Sequence, residues 1–314
     1  LDSQTLPQLA RQVQLDASNE AISGDCRCAL VVENIVQAKE KLTRLIEHLS
    51  QTPDKMLQSN RLFYSPKAVS GKVAFLFPGQ GSQAINMGKQ AALHFLAAKT
   101  VWDNAATQLN QAGFNIQELV YPHPTHQATV KQQQEKQLQQ TQNTQPAIGV
   151  VSLSLLAILQ QLGVNADCVA GHSFGEVVAL HAAGVYDQAS CFQLSKSRGE
   201  VMAAASQSTS GAMTAVSIDQ NTLQTLLNED KSDVTIANIN APNQVVISGK
   251  TESIEQIEKH LKAKSISFKR LPVSTAFHSA IVSSAANAFA KSLKTVTWKT
   301  AQLPVYSNTS GDVY

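Results

Sequence analysis

Residues 167–184 read DCVAGHSFGEVVALHAAG, and the order of residue types in this stretch decides the fold. Asp167–Ala170 is a short apolar run of the kind that forms a buried strand. Gly171-His172-Ser173-Phe174-Gly175 then fits G-x-S-x-G, the sharp strand-to-helix turn that exposes a serine oxygen. A helix is predicted from Glu176 to Ala183, with Gly184 placed to end it. Positions two before and two after the serine must be small, because the backbone closes too tightly there for a side chain. The start of the helix directs unpaired N–H groups and the positive end of its dipole at Ser173. The Phe174 N–H is one expected donor to an oxyanion, and losing one such donor costs about 3 kcal/mol in a transition state. This context identifies a serine nucleophile and leaves its reaction open, since hydrolases share the turn.

Working outward, Val73–Phe77 (VAFLF), bounded by Pro78-Gly79, reads as a strand buried on both faces of a parallel sheet. Residues 127–145 are rich in glutamine and read as a solvated loop and helix surface. Pro146 is expected to open an apolar helix running to Leu162, with proline in its tolerated first turn. Another helix is expected over Gln188–Ala205. From Gly211 the pattern becomes strand, helix, two strands, helix and strand: Ala212–Ile218, Gln220–Leu227, Val234–Ile239, Gln244–Ser248, a helix lined by Ile254, Ile257 and Leu261, and Ser265–Leu271. That order is the ferredoxin-like arrangement. Near the start, Ala29–Glu33 and Arg61–Tyr64 read as strands around a helix capped by Asn34, with Ile35, Ala38, Leu42, Leu45 and Leu49 as its apolar stripe.

The expected fold class is therefore α/β: an α/β-hydrolase-like core with a parallel sheet, an inserted ferredoxin-like α+β subdomain and an N-terminal linker subdomain. The boundaries are 1–70 for the linker, 71–205 with 272–314 for the core, and 206–271 for the insertion.

The 314 residues are 43% hydrophobic and 15% charged, the composition of a packed protein rather than a disordered one. A net charge of +2 without a basic run excludes nucleic acid as the expected partner. The longest apolar stretch, 146–159, is interrupted by Gly149, Ser152 and Ser154 and is too short to span a membrane. Cys26 and Cys28 fit neither zinc nor C-x-x-C spacing, while Cys168 and Cys191 read as free buried thiols, so no metal and a reducing cytoplasmic setting are expected. Leu1 in place of methionine reads as a segment of something longer.

A serine nucleophile needs a base. Of eight histidines, His172 adjoins the serine but should leave the turn in another direction. His181 lies about 12 Å along the helix. His48 and His260 sit among charged neighbours on predicted helices and read as solvated, His94 has no supporting partner, and His123 and His126 lie in a proline-containing loop. His278, in Ser274-Thr275-Ala276-Phe277-His278-Ser279, follows the strand that leaves the insertion. Pattern alone makes it a candidate and does not settle the choice.

Phe77-Pro78-Gly79-Gln80-Gly81-Ser82-Gln83 with Met87-Gly88 resembles the opening of malonyl-CoA:acyl-carrier-protein transacylases and of polyketide-synthase acyltransferase domains. Thr141 with Gln145-Pro146-Ala147, Gly171–Glu176, Ser197-Arg198-Gly199, Asn240-Ala241-Pro242 through Ser248-Gly249, and Ala276–Ser279 resemble the following blocks, in family order. Phe174 after the serine is similar to the acyltransferase domains of bacterial polyunsaturated-fatty-acid synthases. Residues 1–70 resemble the linker that joins a ketosynthase to such a domain.

The resemblance implies a two-step transfer from a coenzyme A thioester to the phosphopantetheine thiol of an acyl carrier protein, with no bound cofactor. Ser173 would be the nucleophile and His278 the general base and then acid. Backbone N–H groups of Gln80 and Phe174 would form the oxyanion hole. Arg198 would grip the free carboxylate of malonate with its planar fork; by itself an arginine on a helix reads as solvated. Phe277 before the histidine resembles malonyl-selective members, whereas Thr275 departs from their usual histidine. A single methyl is worth only about 1–3 kcal/mol of discrimination. Asn240 is expected near the pocket or as a loop cap, and Ser82 and Gln83 as turn formers. The family continues past Pro304–Asn308, so the group orienting His278 is expected beyond Tyr314. A serine thioesterase or hydrolase, and a non-catalytic docking module of a megasynthase, are the competing readings.

Overall fold

The computed structural model describes residues 5–19, 26–67, 70–110, 113–206, 211–230, 232–271 and 283–314, and the chain divides into two compact units, Leu1–Lys72 and Val73–Tyr314. Phe277 and His278 lie outside the described residues.

In the first unit, helix α1 (Leu6–Asn19) precedes a three-stranded antiparallel sheet of order β1-β3-β2, formed by β1 (Arg27–Leu30), β2 (Leu57–Ser59) and β3 (Leu62–Ser65). Helix α2 (Ile35–Gln51) starts at Asn34, whose side chain accepts from the Gln37 N–H. Leu45, Leu62 and Tyr64 form the small core. Only part of the expected stripe is buried: Ala38 and Leu45 point inward, while Leu49 is exposed.

The second unit is built around a parallel sheet of order β10-β5-β4, from β4 (Ala74–Phe77), β5 (Cys168–Gly171) and β10 (Val305–Tyr306). The helices between β4 and β5 are α3 (Lys89–His94), α4 (Leu96–Leu109), α5 (Ile116–Val120), α6 (Ala128–Gln139) and α7 (Thr141–Gln161). After β5 come α8 (Gly175–Ala182) and α9 (Gln188–Ser206), and α12 (Ser283–Leu293) precedes β10. Helix α7 packs on α4 and α9, and Val150, Leu153, Val169, Phe174, Val178, Phe192 and Val305 belong to one continuous core.

Between α9 and α12 the chain forms β6 (Gly211–Val216), α10 (Gln220–Glu229), β7 (Thr235–Ala241), β8 (Gln244–Lys250), α11 (Thr251–Ala263) and β9 (Phe268–Arg270). The four strands make an antiparallel sheet of order β7-β8-β6-β9 over a core of Leu223, Val245, Ile247, Ile254, Ile257 and Leu261.

Three sequence expectations are corrected here. Among the described residues β4 is an edge strand, and it alternates instead of being buried on both faces: Phe77 is buried and Leu76 is 76% exposed. Helix α7 begins at Thr141, five residues before Pro146, so proline sits inside it. The glutamine-rich stretch is split accordingly. Helix α6 is solvated apart from Leu138, whereas Thr141, Asn143, Thr144 and Gln145 are buried in the first turns of α7. His260, read as solvated among charged neighbours, has a side chain 44% exposed and pairs through Nδ1 with Asp230 at 2.6 Å.

Candidate active site

Ser173 stands between the end of β5 and the start of α8 with φ +51°, a left-handed conformation that costs a non-glycine residue about 1–2 kcal/mol. Backbone contacts around it explain the flanking glycines. A Cβ on Gly171 would lie 2.0 Å from the Gly175 carbonyl carbon, and one on Gly175 would lie 2.0 Å from the Phe77 carbonyl oxygen. Both are far inside van der Waals contact, so β4, β5 and α8 meet at the turn only if these residues lack side chains. The Phe174 ring is fully buried and anchors the turn to the core.

Two later residues, Asn308 and Tyr314, clamp the turn from the segment after β10. Asn308 Oδ1 accepts the Ser173 N–H at 3.0 Å, and Asn308 Nδ2 donates to the Gly171 carbonyl at 2.5 Å. Glu176 Oε1 accepts from the Asn308 N–H at 2.9 Å and from the Tyr314 hydroxyl at 2.7 Å.

Ser173 faces a cavity of about 230 Å³. Gln80, Gln145, His172, Arg198 and Asn240 supply polar groups to it, and Met202, Met213, Val246 and Leu271 form its apolar wall. Residues separated by more than a hundred positions thus meet: Gln80 from the loop after β4, Ser173 from the turn, Arg198 from α9 and Asn240 from β7. Phe174 borders the same cavity. Ser82 Oγ donates to the Gly79 carbonyl at 2.9 Å, and Gln83 Oε1 accepts from the Gly81 N–H at 2.7 Å, which are turn-forming bonds.

Arg198 is oriented by a chain of side-chain hydrogen bonds. Its Nη1 donates to Gln145 Oε1 at 2.8 Å, Gln145 Nε2 donates to Thr141 Oγ1 at 2.9 Å, and Thr141 Oγ1 donates to Gln80 Oε1 at 2.8 Å. A guanidinium has only donors, so it fixes which end of the Gln145 amide faces it. Burial pulls the Arg198 pKa down to about 10, partly opposed by the charge of Glu176. The cation persists at neutral pH, and among the described residues no carboxylate forms an ion pair with it. Helix α9 can carry Arg198 close to α7 because of the next residue: a Cβ on Gly199 would lie 2.8 Å from Gln142 Cα and from the Thr141 carbonyl oxygen.

His172 also lines the cavity, with Nε2 3.1 Å from Asn240 Oδ1. Strand β7 has register shifts between Ile236 and Asn238 and between Ile239 and Ala241, which leave Asn240 at an irregular position. Bulges of this kind re-aim side chains near functional sites. The expected base, His278, and its neighbour Phe277 lie outside the described residues. No cluster of metal-ligating side chains occurs among the described residues.

In the sequence Thr141 and Gln145 stand out only as part of a family block, and Asn308 only as part of the last segment. Thr141, Thr144 and Gln145, at i, i+3 and i+4, share a buried face of α7, but nothing in a glutamine-rich stretch distinguishes them from solvated residues. Nothing in the sequence around Asn308 marks it as a partner of Ser173, because that contact spans 135 residues.

The family model described as "Acyl transferase domain" matches residues 74–313. The malonyl CoA-acyl carrier protein transacylase of Synechocystis sp. is 41% identical over 238 residues, covering 76% of this chain and 74% of that protein. The acyltransferase domain from the second module of the salinomycin polyketide synthase superposes with TM-score 0.78 at 26% identity, over 98% of this chain and 71% of that one. A structure of a type II polyketide-synthase acyl-carrier protein in complex with its malonyl-transacylase matches with TM-score 0.69 at 30% identity, over 78% of this chain and 76% of that one.

Proposed function

The chain belongs to the acyl transferase domain family, and from that premise we propose that it moves a malonyl group, or another carboxyacyl group, from coenzyme A to an acyl carrier protein through an acyl-Ser173 intermediate. One observation carries the carboxylate part of this reading. Arg198, a part-buried cation held in place by Gln145, lines the same small cavity as Ser173. A simple ester or thioester substrate would leave that cation unanswered, so the hydrolase reading is not favoured. The intact nucleophile in its strained turn speaks against a docking module without catalysis.

In the proposed reaction Ser173 Oγ attacks the thioester carbonyl carbon while its proton passes to His278. The oxyanion is held by the backbone N–H groups of Gln80 and Phe174. The C–S bond then breaks, and the coenzyme A thiolate takes the proton back from His278. In the second half the phosphopantetheine thiol attacks the Ser173 ester, and Oγ leaves as the hydroxyl. Arg198 holds the carboxylate throughout, Asn240 and Phe277 border the acyl group, and the apolar wall of Met202 and Met213 limits its length.

The finer organisation follows the same proposal. Residues 71–205 and 272–314 form the α/β-hydrolase-like core, and 206–271 form a ferredoxin-like insertion, supported by the strand order β7-β8-β6-β9. Residues 1–70 act as a linker from an adjacent ketosynthase, in a multifunctional synthase of the polyketide or polyunsaturated-fatty-acid type. No described helix is long and apolar enough to cross a membrane, and a cytoplasmic setting fits the coenzyme A donor. Incubation with malonyl-CoA followed by intact-mass measurement tests the reading. A malonyl adduct that disappears in Ser173→Ala is expected, and the absence of any Ser173-dependent adduct would sink it.

A further inference from the structure

We propose that Asn308 is a positioning residue for the nucleophile: its side-chain amide holds the turn at Ser173 in the geometry that transfer requires. The inference rests on the acyl-Ser173 reading above and adds a residue to it. Ser173 occupies a left-handed conformation at φ +51°, and such strain persists only where the surroundings over-determine it. The Ser173 N–H lies just before the Phe174 N-cap of α8, outside the helix's own hydrogen bonds. Asn308 supplies a partner at 3.0 Å and, with the other end of the same amide, ties down the Gly171 carbonyl at 2.5 Å. One planar group therefore bridges the residues on both sides of His172. Its orientation is forced, because a flipped amide would set donor against donor and acceptor against acceptor.

Asn308 is itself held. Its own N–H donates to Glu176 Oε1, and it follows β10, which pairs in parallel with β5 at Val305–Val169 and Tyr306–Ala170. The brace thus runs from the sheet that carries the turn to the turn itself. A brace of this kind affects how Ser173 attacks and leaves carboxylate recognition at Arg198 untouched.

The test uses the whole chain and two reagents: malonyl-CoA, and a small fluorophosphonate that reacts with an activated serine without using Arg198. Asn308→Ala is expected to slow both reactions at Ser173 by about tenfold or more, the scale of two lost hydrogen bonds, with the preference for malonyl over acetyl unchanged. Asn308→Asp gives a separate signature. Its carboxylate can accept from the Ser173 N–H but opposes the Gly171 carbonyl and Glu176, whereas a protonated carboxyl restores both bonds. Its rate relative to the native chain is expected to rise as pH falls from about 7.5 to about 5.5. Unchanged phosphonylation in Asn308→Ala, or a flat ratio for Asn308→Asp, overturns the proposal. A native chain that is phosphonylated at Ser173 but takes no malonyl overturns the proposed function and leaves this inference standing. A native Ser173 that reacts with neither reagent overturns both.

Discussion

Arg198 Nη1 and Gln145 Oε1 are joined by a 2.8 Å hydrogen bond that links helix α9 to the buried first turns of helix α7. The bond presents a pre-oriented cation to the cavity without neutralising it. An incoming carboxylate can then take the remaining donors in a two-pronged contact. Arg198→Ala is expected to reduce malonyl loading relative to acetyl loading by about ten- to a hundredfold, the range of a charge-assisted hydrogen bond of about 1.5–3 kcal/mol. Arg198→Lys keeps the charge and loses the fork, so it should fall between. Competition between the two thioesters, read by mass, checks both. An unchanged ratio in Arg198→Ala would remove the carboxylate role.

Gln145 has a predictable cost of its own. It is 1% exposed and bonded at both ends of its amide, to Arg198 and to Thr141. Gln145→Leu fills similar space but strands an arginine donor in a desolvated place. A loss of about 1–3 kcal/mol of stability is expected, with KM for malonyl-CoA rising more than that for acetyl-CoA. Denaturant unfolding and steady-state kinetics read the two effects separately. A stability loss without the KM difference would make Gln145 a structural residue only.

Gly175 offers a steric test of the turn. An alanine Cβ there would press to 2.0 Å from the Phe77 carbonyl oxygen, and Phe77 is held in register with Gly171 by the β4–β5 pairing. Backbone has no rotamer by which to yield, so β4 or α8 must shift. Gly175→Ala should destabilise by about 1–3 kcal/mol, the usual range for overpacking, and should abolish Ser173 acylation even where the protein remains folded. Full acylation in a folded Gly175→Ala variant would contradict the contact.

These cases show which parts were legible in the sequence. Gly171, Ser173 and Gly175 were readable because one steric rule acts within five residues. Most of the strands and helices between Gly211 and Leu271 were readable from their apolar periods, whereas the register shifts of β7 around Asn238 and Asn240 leave no such mark. Thr141 and Gln145 were hidden because a buried glutamine and a solvated one look alike until their partners, Arg198 and Gln80, are placed beside them. The exposure of Leu76 was hidden for a similar reason: an apolar run does not say whether its strand lies at the centre or the edge of a sheet. Helix α4 carries a periodic signal of the same kind, since Ala98, Val101, Trp102, Ala105 and Leu109 repeat at helical spacing and are all buried.

The buried surroundings of α8 also fix how the fold responds to acid. His181, in the last turn of α8, is part-buried, and its Nδ1 lies 2.9 Å from the Tyr186 carbonyl oxygen, so Nδ1 carries the proton in the neutral ring. Burial lowers its pKa below the usual imidazole value, opposed by the Tyr186 and Asp187 backbone groups and by the Asp187 charge. With the folded value depressed, the unfolded chain binds more protons below about pH 6.5. Stability from this group is therefore complete above that pH and is lost as pH falls through the folded value, with a limiting slope of about 1.4 kcal/mol per pH unit. Glu258, whose pKa is lowered chiefly by its hydrogen bond from Arg270, loses its contribution only in the more acidic carboxylate range, so the two do not overlap. Urea unfolding between about pH 7.5 and pH 5.5 should show a declining midpoint in the native chain. His181→Gln keeps a donor for Tyr186 and cannot gain a proton, so its midpoint should decline less over the same range. Equal declines in the two proteins would show that His181 is not the group being forced to charge.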